Sequence, residues 1–338
     1  MAERCAFLDR APGEVRAVVM LDGSPERLLI WREDDITPRL GARYAARVEA
    51  VSERMGLARL ELGGPGGALR LRGLAAAPHV GERLQVEVVA EPVREKPAAL
   101  RLSGLAPGST PGLLSAAPTV EQQLTDLGFK LWTTGDEARE LADAAQAAAI
   151  AAEHVRPDGV TLTVQPTRAL TAVDVDLAET GGSVSVSRAN LSALAEAARL
   201  LRLKALGGLV AIDLIGFPKN DSRLQAAARD AFAPDGPEVV IAPVSRFGVM
   251  ELAKPHLRQP LHEQLVDKDG QLNARTAAQA VVRALERQGR FDPGSRLVAV
   301  CPPEVAVLAA PWVAHLGPRF SVRVKLGAGR SPPDICTL

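Results

Sequence analysis

The sequence has few cysteines and few aromatic residues. Its three cysteines, Cys5, Cys301 and Cys336, are odd in number and far apart, and no C-x-x-C pair occurs. This spacing speaks against a disulfide framework and against a structural zinc site built from thiolates. Aromatic residues make up 3% of the chain, so a broad platform for stacking nucleic-acid bases is not expected.

The sequence also lacks an excess of charge and long apolar runs. Basic and acidic residues number 40 each, so an anionic partner must be held by local basic clusters rather than by a whole-protein field. No apolar run reaches the roughly 18 residues that span a bilayer, and the N-terminal MAERCAFLDRAPGE lacks the apolar segment of a signal peptide. We therefore expect no membrane association and a cytoplasmic location.

The chain contains enough hydrophobic residues to form hydrophobic cores. It has 338 residues, 47% of them hydrophobic, which predicts two domains with a small appendage. Residues 14–105 read as short strands in which apolar and polar residues alternate, separated by turns such as Asp22-Gly23. So many short strands predict a small barrel or sandwich.

A linker and a helical segment come next. Residues 106–119, APGSTPGLLSAAPT, are rich in proline, glycine and serine and predict a linker. Thr119 followed by Gln122 has the spacing of a helix capping box. Residues 136–154 predict an alanine-rich helix that ends before Pro157-Asp158-Gly159.

The second half alternates strands with helices. VTLTVQP and LTAVDVDL predict a hairpin that turns at Pro166-Thr167-Arg168. The following helix is expected to begin at Asn190 and to stop at Gly207-Gly208. LVAIDLI predicts a strand, NDSRLQAAARDAF a helix, EVVIAPVSRFGVMEL a strand that enters another element, and residues 274–288 a helix. The end of the chain reads as strand, helix, strand.

Two of these apolar strands carry carboxylates. Asp174 and Asp176 are two residues apart and so share one face of a strand, and Asp213 has the same apolar context on another strand. If the strands are neighbours, the three carboxylates could converge, and convergent oxygen ligands suit magnesium or manganese. Turn formation, helix capping or ion pairing with Arg168 or Arg188 would explain the same pattern without a metal.

The order of three sequence blocks resembles the catalytic core of the RNase E/G family of endoribonucleases. The blocks are RALTAVDVD, RANLSALAEAARLLRLKALGGLVAIDLI and VSRFGVMEL, and they extend over residues 158–255. The strands GARYAARVEAV, GLARLELG and EKPAALRLSG resemble the S1-type OB-fold barrel of the same family.

The resemblance implies an α+β or α/β architecture. An N-terminal S1-type OB-fold β-barrel would be followed by a mixed α/β catalytic core and a small C-terminal α/β unit. The expected boundaries are 1–105 for the barrel, 106–157 for the linker and helical segment, 158–260 for the core and 261–338 for the C-terminal unit. The resemblance of that last unit to a small domain of the family leaves a homodimer as one expectation.

The resemblance also implies a site. Asp174 and Asp213 would hold Mg²⁺ or Mn²⁺, and Asp176 stands where the family usually has an asparagine that orients the site. The implied reaction is hydrolysis of single-stranded RNA to products with a 5′-phosphate and a 3′-hydroxyl.

The chain departs from the family pattern in several places. Gly216 replaces an acidic residue that the family carries three positions after its second metal-binding aspartate. The paired cysteines of a zinc link are missing, so neither zinc nor the tetramer built on it is expected. The stretch 106–157 is much shorter than in the family, which implies that the RNase H-like subdomain and the pocket that senses a 5′-monophosphate are absent.

The expected RNA contacts are basic rather than aromatic. Arg59, Ala68 and Leu69 stand where the family has base-packing aromatics, so binding should be weaker and more sensitive to salt. Lys96 matches a family lysine that faces RNA, and the other candidates for RNA contact are Arg59, Arg47, Arg246 and Arg188. Further cations, Arg199, Arg202, Lys204 and Lys219, flank the aspartates in sequence. The alternatives are solvated barrel residues and, for Arg246, a structural ion pair with an aspartate.

These observations favour a metal-dependent endoribonuclease of RNA processing or decay without 5′-end sensing. A non-catalytic RNA-binding relative is the main alternative, which Gly216 and the lost aromatics favour. A metal phosphoesterase with another substrate is a third.

Overall fold

The computed structural model describes residues 3–108, 110–177, 184–216, 222–294, 296–317, 325–328 and 334–337. Among these residues, no helix is both long and apolar enough to cross a bilayer. The fold is a mixed α+β arrangement of several sheets and helices.

Strands alone make up the first part of the chain. Their bounds are β1 (Arg4–Ala11), β2 (Glu14–Leu21), β3 (Ser24–Arg32), β4 (Arg43–Ser52), β5 (Leu57–Glu61), β6 (Gly67–Arg70), β7 (Arg83–Ala90), β8 (Ala98–Leu105) and β9 (Gly112–Ser115). The next section introduces helices: α1 (Val120–Asp126), β10 (Thr133–Thr134), α2 (Asp136–Ile150) and β11 (Glu153–Val155).

The rest of the chain alternates strands and helices. The central elements are β12 (Val160–Pro166), β13 (Thr171–Leu177), α3 (Val186–Leu203), β14 (Gly208–Asp213), α4 (Ser222–Phe232), β15 (Val240–Ile241), β16 (Val249–Lys254) and α5 (Leu261–Leu265). The C-terminal elements are α6 (Ala274–Phe291), β17 (Leu297–Cys301), α7 (Pro303–Ala314), β18 (Lys325–Ala328) and β19 (Asp334–Thr337).

The strands predicted over residues 14–105 divide between two sheets. The N-terminal sheet has the order β10-β1-β2-β3, and strands β4 to β9 form a separate sheet in the order β5-β6-β8-β7-β4-β9. In the second sheet β4 pairs with β7 and also with β5, and its strands surround a core that includes Val48, Leu60 and Val86. The predicted linker is partly wrong, because Gly112–Ser115 forms β9 and pairs with β4.

A six-stranded sheet, called the aspartate sheet below, has the order β11-β12-β13-β14-β16-β15. The predicted hairpin of β12 and β13 is confirmed, and β13 runs parallel to β14 because α3 connects them. Helix α3 contacts both this sheet and the N-terminal sheet, helix α2 packs on the N-terminal sheet and on α3, and both helices share one core with the two sheets. That core covers one face of the aspartate sheet and leaves the other face open.

The helix boundaries test several predictions. The Thr119–Gln122 capping box is confirmed. Asn190 as the start of α3 is wrong, since Ser185 is the N-cap and accepts a hydrogen bond from the Arg188 amide. Both serine and asparagine are good N-caps, so the sequence alone did not separate them.

The C-terminal ends of α2 and α3 also differ from expectation. Helix α2 ends at Ile150 rather than at 154. Helix α3 ends at Leu203, before the two glycines, and Ala205 takes the left-handed conformation with φ 54°. The Leu206 amide donates to Leu201 O at 2.9 Å, which is the hydrogen bond of a Schellman motif at a helix end. Ala205 occupies the left-handed position of this motif, where glycine is usual.

A buried ionic network joins the N-terminal sheet to α2 and α6. Asp9 on β1 accepts hydrogen bonds from Arg16 Nη2 at 2.8 Å, from Arg283 Nε at 2.7 Å and from Arg139 Nε at 3.2 Å. All four side chains are almost completely buried, so each charge depends on its partners within the network.

Candidate functional site

The alternation of β13 and β14 separates a core face from an open face of the aspartate sheet. Val173, Val175, Val210 and Ile212 point into the core. The intervening residues are exposed or half-buried and lie on the open face, and among them are the three predicted aspartates.

Asp174 and Asp213 are direct neighbours across the two parallel strands. The register pairs Asp174 with Asp213, which is the last pair at the carboxyl end of the β13–β14 pairing. Paired residues on adjacent strands point to the same face with Cα atoms about 5 Å apart. Two carboxylates therefore stand side by side on the open face, as predicted from the sequence.

Asp176 lies on the same face but one step farther along β13. It pairs with Thr161 of β12, and its Oδ1 accepts a hydrogen bond from the amide of Leu177 at 2.7 Å. No group of three or more histidine, cysteine, aspartate or glutamate side chains with metal-binding geometry occurs among the residues that the structure describes. The convergence of the aspartates is thus limited to the pair.

Two carboxylates and an open solvent face are compatible with a divalent cation. Mg²⁺ commonly takes one or two protein carboxylates and completes its coordination with water and a substrate phosphate. Asp174 and Asp213 supply hard oxygen atoms of this kind, and both are exposed. The donor set therefore fits magnesium or manganese better than a thiophilic metal.

The turn between β15 and β16 brings Arg246 to this end of the sheet. Leu214, the residue after Asp213, donates its amide to Gly248 O at 3.2 Å, and Val249 pairs with Asp213. Arg246 is exposed and its guanidinium lies over the Phe247 ring at 4.8 Å from the centroid. The alternative of a structural ion pair with either aspartate is not observed within the described residues.

Asn190 anchors α3 to the same end of the sheet. Its Nδ2 donates to Ile215 O at 3.1 Å and its Oδ1 accepts from Ile215 N at 2.9 Å, so a buried amide fixes the chain two residues beyond Asp213. Arg188, exposed in the first turn of α3, consequently lies at this end too. Gly216 follows with φ 75°, and no atom of the described residues lies within 4 Å of the position that a Cβ would take there.

One further carboxylate on the open face was missed by the sequence reasoning. Glu251 on β16 is exposed and pairs with Ala211, so it lies diagonally from Asp213. Glu251 belongs to the block VSRFGVMEL and stands two residues after Val249, the partner of Asp213. Residues two apart on a strand share a face, so this spacing was the available signal.

Three of the predicted cations flanking the aspartates have structural roles instead. Arg202 binds Asp235 at 2.7 Å, and Arg199 binds Glu196. Lys204 Nζ donates to the carbonyl oxygens of Ala148 and Ala149, both at 3.1 Å, at the end of α2. Burial lowers the pKa of Lys204 to about 8. Lys219 lies outside the described residues.

The predicted RNA contacts of the first domain lie away from the aspartate pair. Arg59 and Arg47 are exposed on the β4–β5 side of the second sheet, where Arg59 contacts Glu49 at 3.4 Å. Lys96 is exposed in the β7–β8 connection and borders a cavity of about 650 Å³.

This cavity, called the Lys96 cavity below, lies between the second sheet and the aspartate sheet. Arg70, Arg94 and Lys96 line it on the side of the second sheet. Arg168 and Leu209 line it on the side of the aspartate sheet. Leu209 is four residues before Asp213 on β14, which corresponds to roughly 13 Å along the strand. The cavity thus adjoins the strand that carries Asp213, at that strand's other end.

Two histidines line the same cavity. They lie in the segment that stands where the family has the paired cysteines of its zinc link. Burial lowers the pKa of His256, with Lys96 as the next cause, and burial lowers the pKa of His262. Both imidazoles are therefore neutral near pH 7 and offer hydrogen-bonding atoms rather than charge to the cavity.

Comparison with known proteins identifies the region that holds this site. Residues 138–257 match the family model described as Ribonuclease E/G family. A protein named Ribonuclease E from Haemophilus influenzae is 37% identical over 113 residues, 32% of this chain and 12% of that protein. The Ribonuclease E of Escherichia coli is 34% identical over 113 residues, 32% of this chain and 11% of that protein.

A relative from a different bacterial group matches the same share of the chain. The Ribonuclease E of Synechocystis sp. is 30% identical over 113 residues, 32% of this chain and 17% of that protein. The matched part of the chain thus spans between a tenth and a fifth of the length of these relatives. The resemblance to the RNase E/G family is confirmed for residues 138–257, which contain α3, Asp174 and Asp213.

Proposed function

We propose, from the match of residues 138–257 to the Ribonuclease E/G family, that the protein is an endoribonuclease that hydrolyses single-stranded RNA with a divalent metal. The observation that carries the proposal is the register of β13 and β14, which sets Asp174 beside Asp213. The relatives named Ribonuclease E supply the reaction class.

In the proposed reaction, water attacks the phosphorus and the bond from phosphorus to the 3′ oxygen breaks. The products are a 3′-hydroxyl and a 5′-phosphate. A bound Mg²⁺ or Mn²⁺ would polarise the phosphate and lower the pKa of water. Asp174 and Asp213 would hold it, and Arg246 and Arg188 at the same end of the sheet would contact RNA phosphates.

The second sheet would contribute RNA binding as an S1-type OB-fold. Its support is the pairing of β4 with both β5 and β7 around one core, together with the parallel pairing of β6 and β8. Single-stranded RNA crossing the Lys96 cavity would pass from Lys96 and Arg94 along β14 towards Asp213. Exposed basic residues with few aromatics make this contact largely electrostatic.

Two finer features follow from the departures in the sequence. The short stretch 106–157 leads us to propose that the protein does not distinguish 5′-monophosphate from 5′-hydroxyl RNA. A cytoplasmic location and a homodimer through the C-terminal unit also remain predictions.

The non-catalytic alternative has one observation in its favour. Within the described residues the acidic site has two members rather than three or more, because glycine stands at 216. An RNA-binding protein without cleavage would account for this.

A cleavage assay separates the endoribonuclease from the non-catalytic RNA-binding protein. The substrates are single-stranded RNAs with a 5′-hydroxyl or a 5′-monophosphate, each tested with and without magnesium. We expect magnesium-dependent cleavage that is lost in Asp174→Asn and Asp213→Asn and unchanged in Asp269→Asn, which alters an exposed turn. RNA binding by all four proteins with no cleavage in magnesium or manganese would instead establish the non-catalytic function. Equal rates on the two RNAs would support the loss of 5′-end sensing.

A further inference from the structure

Two arginines line one cavity, and neither forms an ion pair with a residue that the structure describes. Arg27 lies on β3, and Arg258 lies between β16 and α5. Both line a cavity of about 460 Å³ and an adjoining one of about 190 Å³, and Leu29 is common to the two. We call the pair of cavities the Arg27–Arg258 cavity.

Neither guanidinium has a hydrogen bond or an ion pair with any residue in the described part of the chain. The buried Arg27 Nε lacks a hydrogen-bond partner. Burial lowers the pKa of Arg27 and of Arg258, yet arginine stays charged in proteins. A partly buried charge of this kind is unfavourable unless a counter-charge is supplied.

The carboxylates nearest to these arginines are occupied by other cations. Glu26 contacts Arg202 at 2.9 Å and Arg4 at 3.3 Å. Glu91 contacts Arg39 at 3.1 Å and accepts hydrogen bonds from the Gln259 and Leu40 amides. Glu26 still attracts Arg27 and Glu91 still attracts Arg258 at longer range, but among the described residues neither carboxylate forms an ion pair with these arginines.

The other charged groups of the lining, apart from Asp126, also pair with one another. Asp235 binds Arg202 at 2.7 Å and Lys254 at 3.1 Å, and Arg101 binds Glu87 at 3.2 Å. The lining as a whole carries five cations, which are Arg27, Arg101, Arg202, Lys254 and Arg258, and three anions, which are Glu87, Asp126 and Asp235. The lining thus has an excess of 5 − 3 = 2 positive charges.

The cavity has access to solvent and room for more than a bare ion. Arg101 at its rim is 65% exposed, so a ligand can enter there. The larger compartment, at about 460 Å³, has the size of a site for a small organic ligand. Gln123 lines it as well, and its buried Oε1 lacks a hydrogen-bond donor, which a ligand hydroxyl would supply.

We propose that the Arg27–Arg258 cavity binds a small phosphate monoester that carries hydroxyl groups, of the class of sugar phosphates and mononucleotides. The phosphate has close to two negative charges at pH 7 and accepts bidentate hydrogen bonds from guanidinium groups. It balances the two unpaired arginines, and a sugar hydroxyl reaches Gln123. This binding site is separate from the aspartate pair and does not depend on the proposed function.

Calorimetric titration of the full chain tests the proposal. The ligands are ribose 5-phosphate, AMP and inorganic phosphate, each at the same ionic strength in chloride. We expect saturable binding that Arg27→Gln and Arg258→Gln each weaken by roughly ten- to a hundredfold. Arg54→Gln, which changes an exposed arginine away from the cavity, should bind as the wild type does. Gln123→Ala should weaken ribose 5-phosphate but not inorganic phosphate.

Thermal unfolding guards against a folding defect in the variants. Without ligand, Arg27→Gln and Arg258→Gln should melt at or above the wild-type temperature, because each removes an unpaired charge. Arg258→Lys keeps the charge and should retain part of the binding. Absence of saturable heat at millimolar ligand, or equal binding by wild type and both glutamine variants, would overturn the proposal.

Discussion

Asn190 holds both backbone groups of Ile215, with its Nδ2 on Ile215 O at 3.1 Å and its Oδ1 on Ile215 N at 2.9 Å. This double hydrogen bond connects α3 to the chain just after Asp213. Because α3 also links β13 to β14, the same helix sets the register of the aspartate pair and fixes the segment that follows it.

Replacing Asn190 with alanine should therefore reduce both stability and RNA cleavage. The variant leaves two backbone groups of Ile215 without partners, which costs about 1–3 kcal/mol of unfolding free energy. Urea unfolding measures the loss, and cleavage should fall further than the unfolded fraction explains. Ser192→Ala, which removes a hydroxyl bonded within the same helix, is the matched control. Cleavage at the wild-type rate by a folded Asn190→Ala would show that the segment after Asp213 is unimportant.

Introducing an aspartate at Gly216 should strengthen metal binding. The substitution restores the acidic residue that the family resemblance places three positions after Asp213, and a Cβ at Gly216 meets no atom of the described part of the chain within 4 Å. Because φ is 75°, a side chain there costs about 1–2 kcal/mol of stability. We expect half-maximal cleavage at a lower magnesium concentration.

Gly270→Asp provides the control for this substitution, since Gly270 has φ 76° and equally open surroundings. It should show the same stability cost with an unchanged magnesium requirement. An unchanged requirement in Gly216→Asp as well would mean that this position lies outside the metal site.

Removing the charge of Lys96 should weaken RNA binding in a salt-dependent manner. If Lys96 neutralises one phosphate, Lys96→Ala lowers the slope of log K against log salt concentration by about 0.7 for single-stranded RNA. Binding measured by fluorescence anisotropy across a salt series gives this slope. Lys130→Ala changes an exposed lysine that does not line the Lys96 cavity and should leave the slope unaltered. Equal slopes for Lys96→Ala and wild type would remove Lys96 from the RNA path.

Stability should fall at low pH because of Asp9. Burial alone would raise its pKa, but Arg283 and Arg16 lower it to about 2. A carboxylate whose pKa is lower in the folded than in the unfolded state stabilises the fold above the unfolded value, near 3.9, and this contribution is lost as the pH falls towards 2.

Thermal unfolding of wild type and Asp9→Asn between pH 2 and pH 6 isolates this contribution. The difference in melting temperature should be large above pH 4 and should shrink towards pH 2, where Asp9 becomes protonated in the wild type. The exposed Asp269→Asn should show a small difference throughout. A constant difference for Asp9→Asn over the whole range contradicts the lowered pKa.

The sequence predicted that the aspartates could converge if their strands were neighbours, and the structure brings two of the three, Asp174 and Asp213, side by side. Apolar residues alternate with Asp174 and Asp176 along β13, and the helix between β13 and β14 favours a parallel pairing. The resemblance in this region supplied the reaction class, and the family comparison covers the same residues.

Other features depend on contacts that periodicity does not contain. Alternation predicted the strands from residue 14 onwards, but it does not state which strands share a sheet, so β2 and β3 could not be separated from β4–β8. The hydrogen bonds between Asn190 and Ile215 are not predictable from the sequence either, since the two residues meet only when α3 packs on the sheet. Likewise, Arg27 and Arg258 are far apart in sequence and share a cavity only after folding.

The N-terminal sheet has a consequence for how the protein is made. Asp9 is synthesised early, yet its partners Arg139 and Arg283 follow 130 and 274 residues later. The apolar face with Phe7 and Val18 likewise waits for α2 and α3 before it is covered. On the ribosome, β1 and β2 thus emerge well before the residues that complete their packing, and until α6 is released they must stay hydrated or be shielded by a chaperone.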